Sequence, residues 1–240
     1  MKYLISVSYD GSKFWGFQKL KNKITVQAEI EKALRIISKK EIRVKGAGRT
    51  DRGVHALNQK CHFNLDIKIT PEGLKKALNK ELNSYIYISD CKEVNEEFHA
   101  RFCVTKKQYL YKINLGEYNP IYEDYILQIR NKLDIKKMKK AAKYFLGAHN
   151  FRAFVCGLRD NYDCIIYGIK FKREKDILNI YFKGKSFYNR MVRNMVGALI
   201  EVGKGKIEPI RIKKLLEEGK YDDSIFAVKP NGLYLFDIKY

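Results

Sequence analysis

The stretch GAGRTDRGVHA (residues 46–56) places one carboxylate, Asp51, among Arg49, Thr50 and Arg52, with Gly46, Gly48 and Gly53 around it. It lies between two strand-like runs, EIRV (41–44) and CHFNLDI (61–67). Glycines permit sharp turns and close backbone approach. Neighbouring guanidinium groups favour an ionised carboxylate. An Asp beside Gly is most often a turn or cap residue. Two arginines, a threonine hydroxyl and His55 within five residues raise this one to a candidate nucleophile held against a ligand.

The rest of the chain suits a polyanionic ligand. Its 240 residues hold 48 Lys+Arg against 27 Asp+Glu, a formal charge of +21. Such a field attracts nucleic acid or an anionic membrane surface. The longest apolar runs are far below the roughly 20 residues that span a bilayer. The opening KYLISVSYDG alternates like a strand and lacks a small-residue cleavage site, so a cytoplasmic protein without a membrane segment is expected. Cys61, Cys91, Cys103, Cys156 and Cys164 form no C-x-x-C pair and their number is odd. Buried free thiols are expected rather than disulfides or a zinc site.

Strand-like alternation recurs at 3–9, 86–88, 108–115, 168–172, 177–182 and 233–238. Four apolar stripes read as helices between them. These are Val26, Ile30, Ala33, Leu34 and Ile37; Leu74, Ala77, Leu78 and Leu82; Ile135, Met138, Ala142 and Phe145; and Val192, Met195, Val196 and Leu199. Thr70-Pro71 reads as N-cap and first helical residue of the second, and Asp134 as N-cap of the third. The pattern predicts an α+β fold of two similar halves, residues 1–100 and 101–240, each a sheet covered by helices.

Three further clusters could carry chemistry. In KGKSFYNRMVRNMVGALIEVGKGK (183–206), Arg190, Arg193 and Gly197 share one helical face by spacing. A solvated basic face is the ordinary outcome; the functional alternative makes Arg193 the cation that keeps Asp51 ionised. In TKKQYLYKI (105–113), Tyr109 and Tyr111 point to one side of a strand, flanked by Lys106, Lys107 and Lys112. Tyr111 reads best as core. Tyr109 could be a stacking platform for a base, with lysines such as Lys107 on phosphates. In YDGSKFWGFQKLKNKITVQ (9–27), Phe14, Trp15 and Phe17 interleave with Lys13, Lys19, Lys21 and Lys23, a pattern that suits RNA contact or simply closes a core.

Together these clusters closely resemble the tRNA pseudouridine synthase A family. The resemblance runs through YDGSKFWGFQ, TVQAEIEKAL, GRTDRGVHA, FHARFCVTKKQYLYKI, LGAHNFRAF, SFYNRMVRNMVGALIEVGKGK and PNGLYLFDIKY, nearly the whole chain. It implies mixed, mainly antiparallel sheets in two halves with the active-site cleft between them. It also implies Asp51 as nucleophile, Tyr109 stacking on the base and Arg193 as ion-pair partner. The expected reaction isomerises uridine to pseudouridine at positions 38, 39 and 40 of the tRNA anticodon arm, in a homodimer that holds tRNA across both subunits. No cofactor and no metal are implied. The RNA-contact residues expected around this centre are Arg49, Arg52, His55, Lys107, Arg190, Lys13 and Trp15. Phe17, Cys164, the FYNR run (187–190) and Lys229-Pro230 depart from the family pattern, and at Cys164 the family often carries an arginine. The same chemistry on ribosomal RNA, or RNA binding without catalysis, are the alternatives. A metal-dependent nuclease would need clustered carboxylates or histidines that are absent beside Asp51 in sequence.

Overall fold

The structure, a computed structural model, describes residues 1–220, 222 and 225–240. In chain order the regular elements are β1 (Lys2–Tyr9), α1 (Val26–Ser38), β2 (Lys45–Gly46), β3 (His55–Asn64), α2 (Pro71–Glu81), β4 (Ile86–Val94) and β5 (Lys106–Asn114). There follow β6 (Leu127–Gln128), α3 (Ile135–Ala142), β7 (Gly147–Asn150), β8 (Asp163–Glu174), β9 (Ile177–Gly184), α4 (Met191–Gly203), α5 (Ile210–Glu218) and β10 (Leu233–Lys239). The architecture is α+β with mainly antiparallel strands. The chain forms two compact units, Met1–Thr105 with Tyr234–Tyr240, and Lys106–Leu233.

In the first unit β1 lies between β3 and β4, antiparallel to both, with Ile5 opposite Cys61 on one side and Cys91 on the other. The last strand returns to this unit and runs parallel to β3, Tyr234 beside His55. Helix α1 buries Val26, Ile30 and Leu34 as its periodicity predicts, and α2 buries Leu74 and Leu78. Thr70 caps α2 as read from the sequence: its hydroxyl accepts from Gly73 N at 3.1 Å, and Pro71 opens the first turn.

The run 41–44, expected as a strand, is irregular. Its backbone is satisfied from the side: Val44 N donates to Glu31 Oε1 at 3.1 Å, and Gln27 Nε2 donates to the Val44 carbonyl at 3.0 Å. Glu31 is buried on α1 and also takes Lys19 Nζ at 3.0 Å. A helix thus does what a ladder partner would otherwise do, and strand pairing begins only at Lys45. Sequence reading also starts β3 too late. The end of the glycine–arginine stretch, from His55, is already strand.

His62 on β3 is buried, edge-on to His99 at 4.6 Å, and its Nδ1 accepts from Ala100 N at 3.1 Å. Burial, then the His99 ring, Lys2 and Lys45, lower its pKa to about 4. The folded form is therefore the neutral one. A lowered folded pKa adds stability fully above the unfolded value of 6.5, and this is lost as pH falls toward about 4. His99 is shifted in the same direction, first by burial. The expected outcome is a melting temperature that falls as pH drops through this window. In His62→Gln the fall should be shallower, which thermal melts at several pH values will show.

In the second unit β9 pairs with β5 and β8, both antiparallel, and β7 closes the edge against β8. The short β6 runs parallel to β5, with Ile113 beside Leu127. Asp134 caps α3 as predicted, accepting from Lys137 N at 2.9 Å. That helix ends at Ala142, and the predicted last turn, through Phe145, is a 3-10 turn. Helix α4 departs from an amphipathic reading. Arg193 is its one residue that is not buried, so the helix is enclosed on every side and has no basic face.

All five cysteines are free thiols; Cys61, Cys91 and Cys164 are buried, whereas Cys103 and Cys156 are exposed, contrary to a uniformly buried reading. Burial pushes Cys91 up to about 12, so it is an inert thiol. Among the described residues no helix is long and apolar enough to cross a membrane.

Candidate active site

The Asp51 loop is held at nearly every residue. Ala47 N donates to the Lys60 carbonyl at 2.7 Å, and Gln59 Nε2 to the Gly48 carbonyl at 3.0 Å. Phe17 N donates to the Thr50 carbonyl at 3.1 Å, and the Thr50 and Tyr9 hydroxyls share a buried hydrogen bond of 2.8 Å. Val54 N closes the turn onto the Asp51 carbonyl at 3.1 Å, with Gly53 at φ 80°. The glycine before the strand and the hydroxyl beside the carboxylate both serve this turn. Asp51 is half-buried at its start. Such a loop fixes the backbone from which the carboxylate projects, and a fixed origin is what a nucleophile or electrostatic catalyst needs.

A second brace lies behind the turn. Gly11 N donates to His55 Nδ1 at 3.1 Å, Asp10 Oδ1 stands 3.3 Å from the same nitrogen, and the His55 ring stacks on Tyr234 at 4.6 Å. His55 is only 2% exposed. Expected among the RNA-contact residues, it is an internal support of the loop, because a ring enclosed on this scale offers RNA no surface.

Trp15, Arg52 and Lys23 come together at the surface. The Arg52 guanidinium lies 3.7 Å from the Trp15 ring centroid and Lys23 Nζ 4.0 Å from it, while Trp15 stays 41% exposed. The pairing fixes the direction of Arg52, the residue after the carboxylate. Gly16 makes the approach possible: at φ 96°, a Cβ there would stand 2.8 Å from the Thr50 carbonyl. Lys13 instead reaches toward Tyr85, 5.9 Å from its ring, and Arg49 is exposed on the loop.

The other residues singled out from the sequence belong to the second unit. Tyr109 on β5 is 8% exposed and meets Phe187 edge-on at 5.1 Å. Lys107, two residues earlier, is half-exposed. Arg193 sits in the first turn of α4, half-exposed, and its Nε donates to the Val228 carbonyl at 2.7 Å. Arg190 is exposed as the N-cap, in the left-handed region at φ 57°, so it stands before the helix rather than on a face shared with Arg193. Cys164 is buried and its thiol donates to the Ser186 carbonyl at 2.8 Å, so this position supplies no cation for RNA.

Sequence reasoning missed Tyr9, Lys23, Tyr234 and the Val228 carbonyl. Lys23 was legible as one of several lysines near Trp15. The other three act through contacts over long sequence separations, or through backbone, and leave no local signal.

The family described as tRNA pseudouridine synthase matches this chain over residues 5–103 and 141–240. Among curated proteins, tRNA pseudouridine synthase A of Listeria monocytogenes is 40% identical over 246 residues, covering 100% of this chain and 99% of its own. The tRNA pseudouridine synthase A 2 of Bacillus cereus is 37% identical over 242 residues, 99% of each chain. That of Thermosipho melanesiensis, named tRNA pseudouridine synthase A, is 38% identical over 244 residues, 99% of this chain and 98% of its own. A chain in a solved Cbf5–Nop10–Gar1 complex superposes with a TM-score of 0.40 at 14% identity, over 82% of this chain and 45% of that one. With matches that run from end to end at this identity, the chain belongs to the tRNA pseudouridine synthase family of isomerases.

Proposed function

We propose that the protein converts uridine to pseudouridine at positions 38, 39 and 40 in the anticodon arm of tRNA, with Asp51 as the catalytic carboxylate. The observation that carries this reading is the Asp51 turn, braced by the Tyr9–Thr50 hydroxyl pair and flanked by the Trp15–Arg52 stack. The reaction breaks the C–N glycosidic bond and makes a C–C bond at the same ribose carbon. The base must detach, rotate and reattach without leaving, and no atom is gained or lost. The nucleotide first leaves its stack, at a cost of a few kcal/mol.

Asp51 adds to uracil C6, attacks ribose C1′, or assists elimination by stabilising positive charge on the sugar. Each route requires an ionised carboxylate, and Arg193 supplies that bias as its ion-pair partner. Tyr109 stacks on the displaced base. Lys13, Arg49, Arg52, Lys107 and Arg190 meet phosphates, with Trp15 orienting Arg52. The enzyme works in the cytoplasm as a homodimer that holds tRNA across both subunits, and needs no cofactor or metal.

The test is pseudouridine mapping on an unmodified tRNA transcript, by carbodiimide labelling and primer extension. Signal at 38 to 40 is expected. Signal confined to ribosomal RNA fragments would overturn the substrate assignment, and no signal on either RNA would leave only a binding role.

Binding strength should fall steeply with salt, because each lysine– or arginine–phosphate contact releases counter-ions. Arg52→Gln is expected to weaken tRNA binding at all sequences and to lower the slope of log affinity against log salt by about 1. Filter binding at several salt concentrations measures it, and an unchanged slope removes Arg52 from the phosphate contacts.

A further inference from the structure

We propose that Tyr111 is a positioning residue for Arg193, acting through the backbone of the segment 226–232 that runs past both. The inference rests on the role given to Arg193 above. The run of buried residues Tyr109, Leu110 and Tyr111 at the middle of β5 accounts for the burial of the Tyr111 ring, but a phenylalanine would satisfy it equally. The hydroxyl needs its own account. It donates to the Lys229 carbonyl at 2.6 Å. One peptide earlier, the Val228 carbonyl accepts from Arg193 Nε at 2.7 Å, and Val228 N returns a bond to the Arg193 carbonyl at 3.4 Å. Two adjacent carbonyls therefore join a buried phenol to the guanidinium.

A guanidinium is planar. Once Nε is committed to one acceptor, the plane and the direction of both terminal nitrogens follow from where that acceptor stands. The position of the Val228 carbonyl thus sets where Arg193 can deliver its charge. The segment has little room to settle elsewhere. A Cβ on Gly197 of α4 would overlap the Phe226 carbonyl oxygen, and one on Gly232 would stand 2.6 Å from the Lys112 carbonyl and 2.8 Å from the Tyr111 ring. At its far end Asn231 Nδ2 donates to the Glu123 carbonyl at 2.6 Å and the Ile126 carbonyl at 3.3 Å. Removing the Tyr111 hydroxyl leaves the Lys229 carbonyl without that donor and frees the peptide next to the one that holds Arg193. Burial raises the phenol far above its ordinary range, against a smaller opposing pull from Arg193, so it stays a donor at every working pH.

The experiment is single-turnover pseudouridine formation by Tyr111→Phe with enzyme in excess over a tRNA transcript, together with tRNA affinity and thermal melting. The expected result is a rate lower by about tenfold or more, because small misplacements of a catalytic group are costly. The affinity should be close to that of wild type, and the protein folded at the assay temperature. In Tyr111→Phe/Arg193→Lys the two losses should fail to multiply, since both act through one guanidinium. A folded Tyr111→Phe with the wild-type rate, or losses that multiply in full, overturns the inference and leaves the hydroxyl a purely structural role. Should Tyr111→Phe not fold, Asn231→Ala loosens the same segment from its other end and is read in the same way. If Arg193→Ala keeps the wild-type rate, the role of Arg193 itself fails, and this inference fails with it; that result is visible without any change at Tyr111.

Discussion

Asp51→Asn is expected to leave a folded protein that binds tRNA and makes no pseudouridine. The amide matches the carboxylate in shape, so the turn closed by Val54 N on the Asp51 backbone carbonyl survives, as does the Tyr9–Thr50 bond beside it. What disappears is the negative charge. An amide neither attacks carbon at a useful rate nor stabilises a cationic sugar, so all three routes stop. Loss of a nucleophile elsewhere costs many orders of magnitude, and a fall of at least about a thousandfold is expected here. Affinity should hardly change, because binding comes from cations on phosphates. Single-turnover mapping with wild type and variant decides it, and residual activity within about tenfold of wild type would refute the assignment.

Gly11→Ala should be the most damaging of the conservative changes in the first unit. A Cβ there would overlap the Val54 carbonyl oxygen and stand 2.8 Å from His55 N, both backbone atoms that cannot swing aside. Either the Gly11 segment lifts off, losing its bond to His55 Nδ1, or the end of the Asp51 turn moves. Forcing a methyl group into such a contact costs about 1–3 kcal/mol or more. Activity should fall further than stability alone explains, because the displaced atoms are those that end the turn. Comparing kcat at a temperature well below the melting transition with the shift in Tm separates the two. A variant with wild-type kcat and Tm would mean that the approach relaxes without consequence.

Much of the architecture was readable in advance, for identifiable reasons. The caps at Thr70 and Asp134 and the stripes of α1 and α2 are local features, and local features survive folding. The run 41–44 was misread because its hydrogen-bond partners come from Glu31 and Gln27, at a distance in sequence and from side chains. Helix α4 was misread because Arg190 and Arg193 suggested a wet face, whereas one precedes the helix and the other is its single opening to solvent. Among site residues, the grouping of Trp15 with Lys23 follows from the interleaved aromatic and basic run 9–27, whereas the stacking of Arg52 on Trp15 joins two separate stretches and has no local signal. The burial of His55 depends on Tyr234, about three quarters of the chain away, and no periodicity announces it.

The return of the last strand bears on how the protein is made. Residues 234–240 complete the first unit by lying along β3, and Tyr234 covers the ring that braces the Asp51 turn. On the ribosome the whole of 106–233 emerges before this strand does. The segment made first is therefore the one finished last, and the His55–Ala56 end of β3 waits for its parallel partner until residues 234 and 235 are made. Chains interrupted before residue 234 would carry the second unit and an open first one, with the His55 ring behind the Asp51 turn left without its Tyr234 cover. Quality control that senses exposed strand edges has its clearest target in such products.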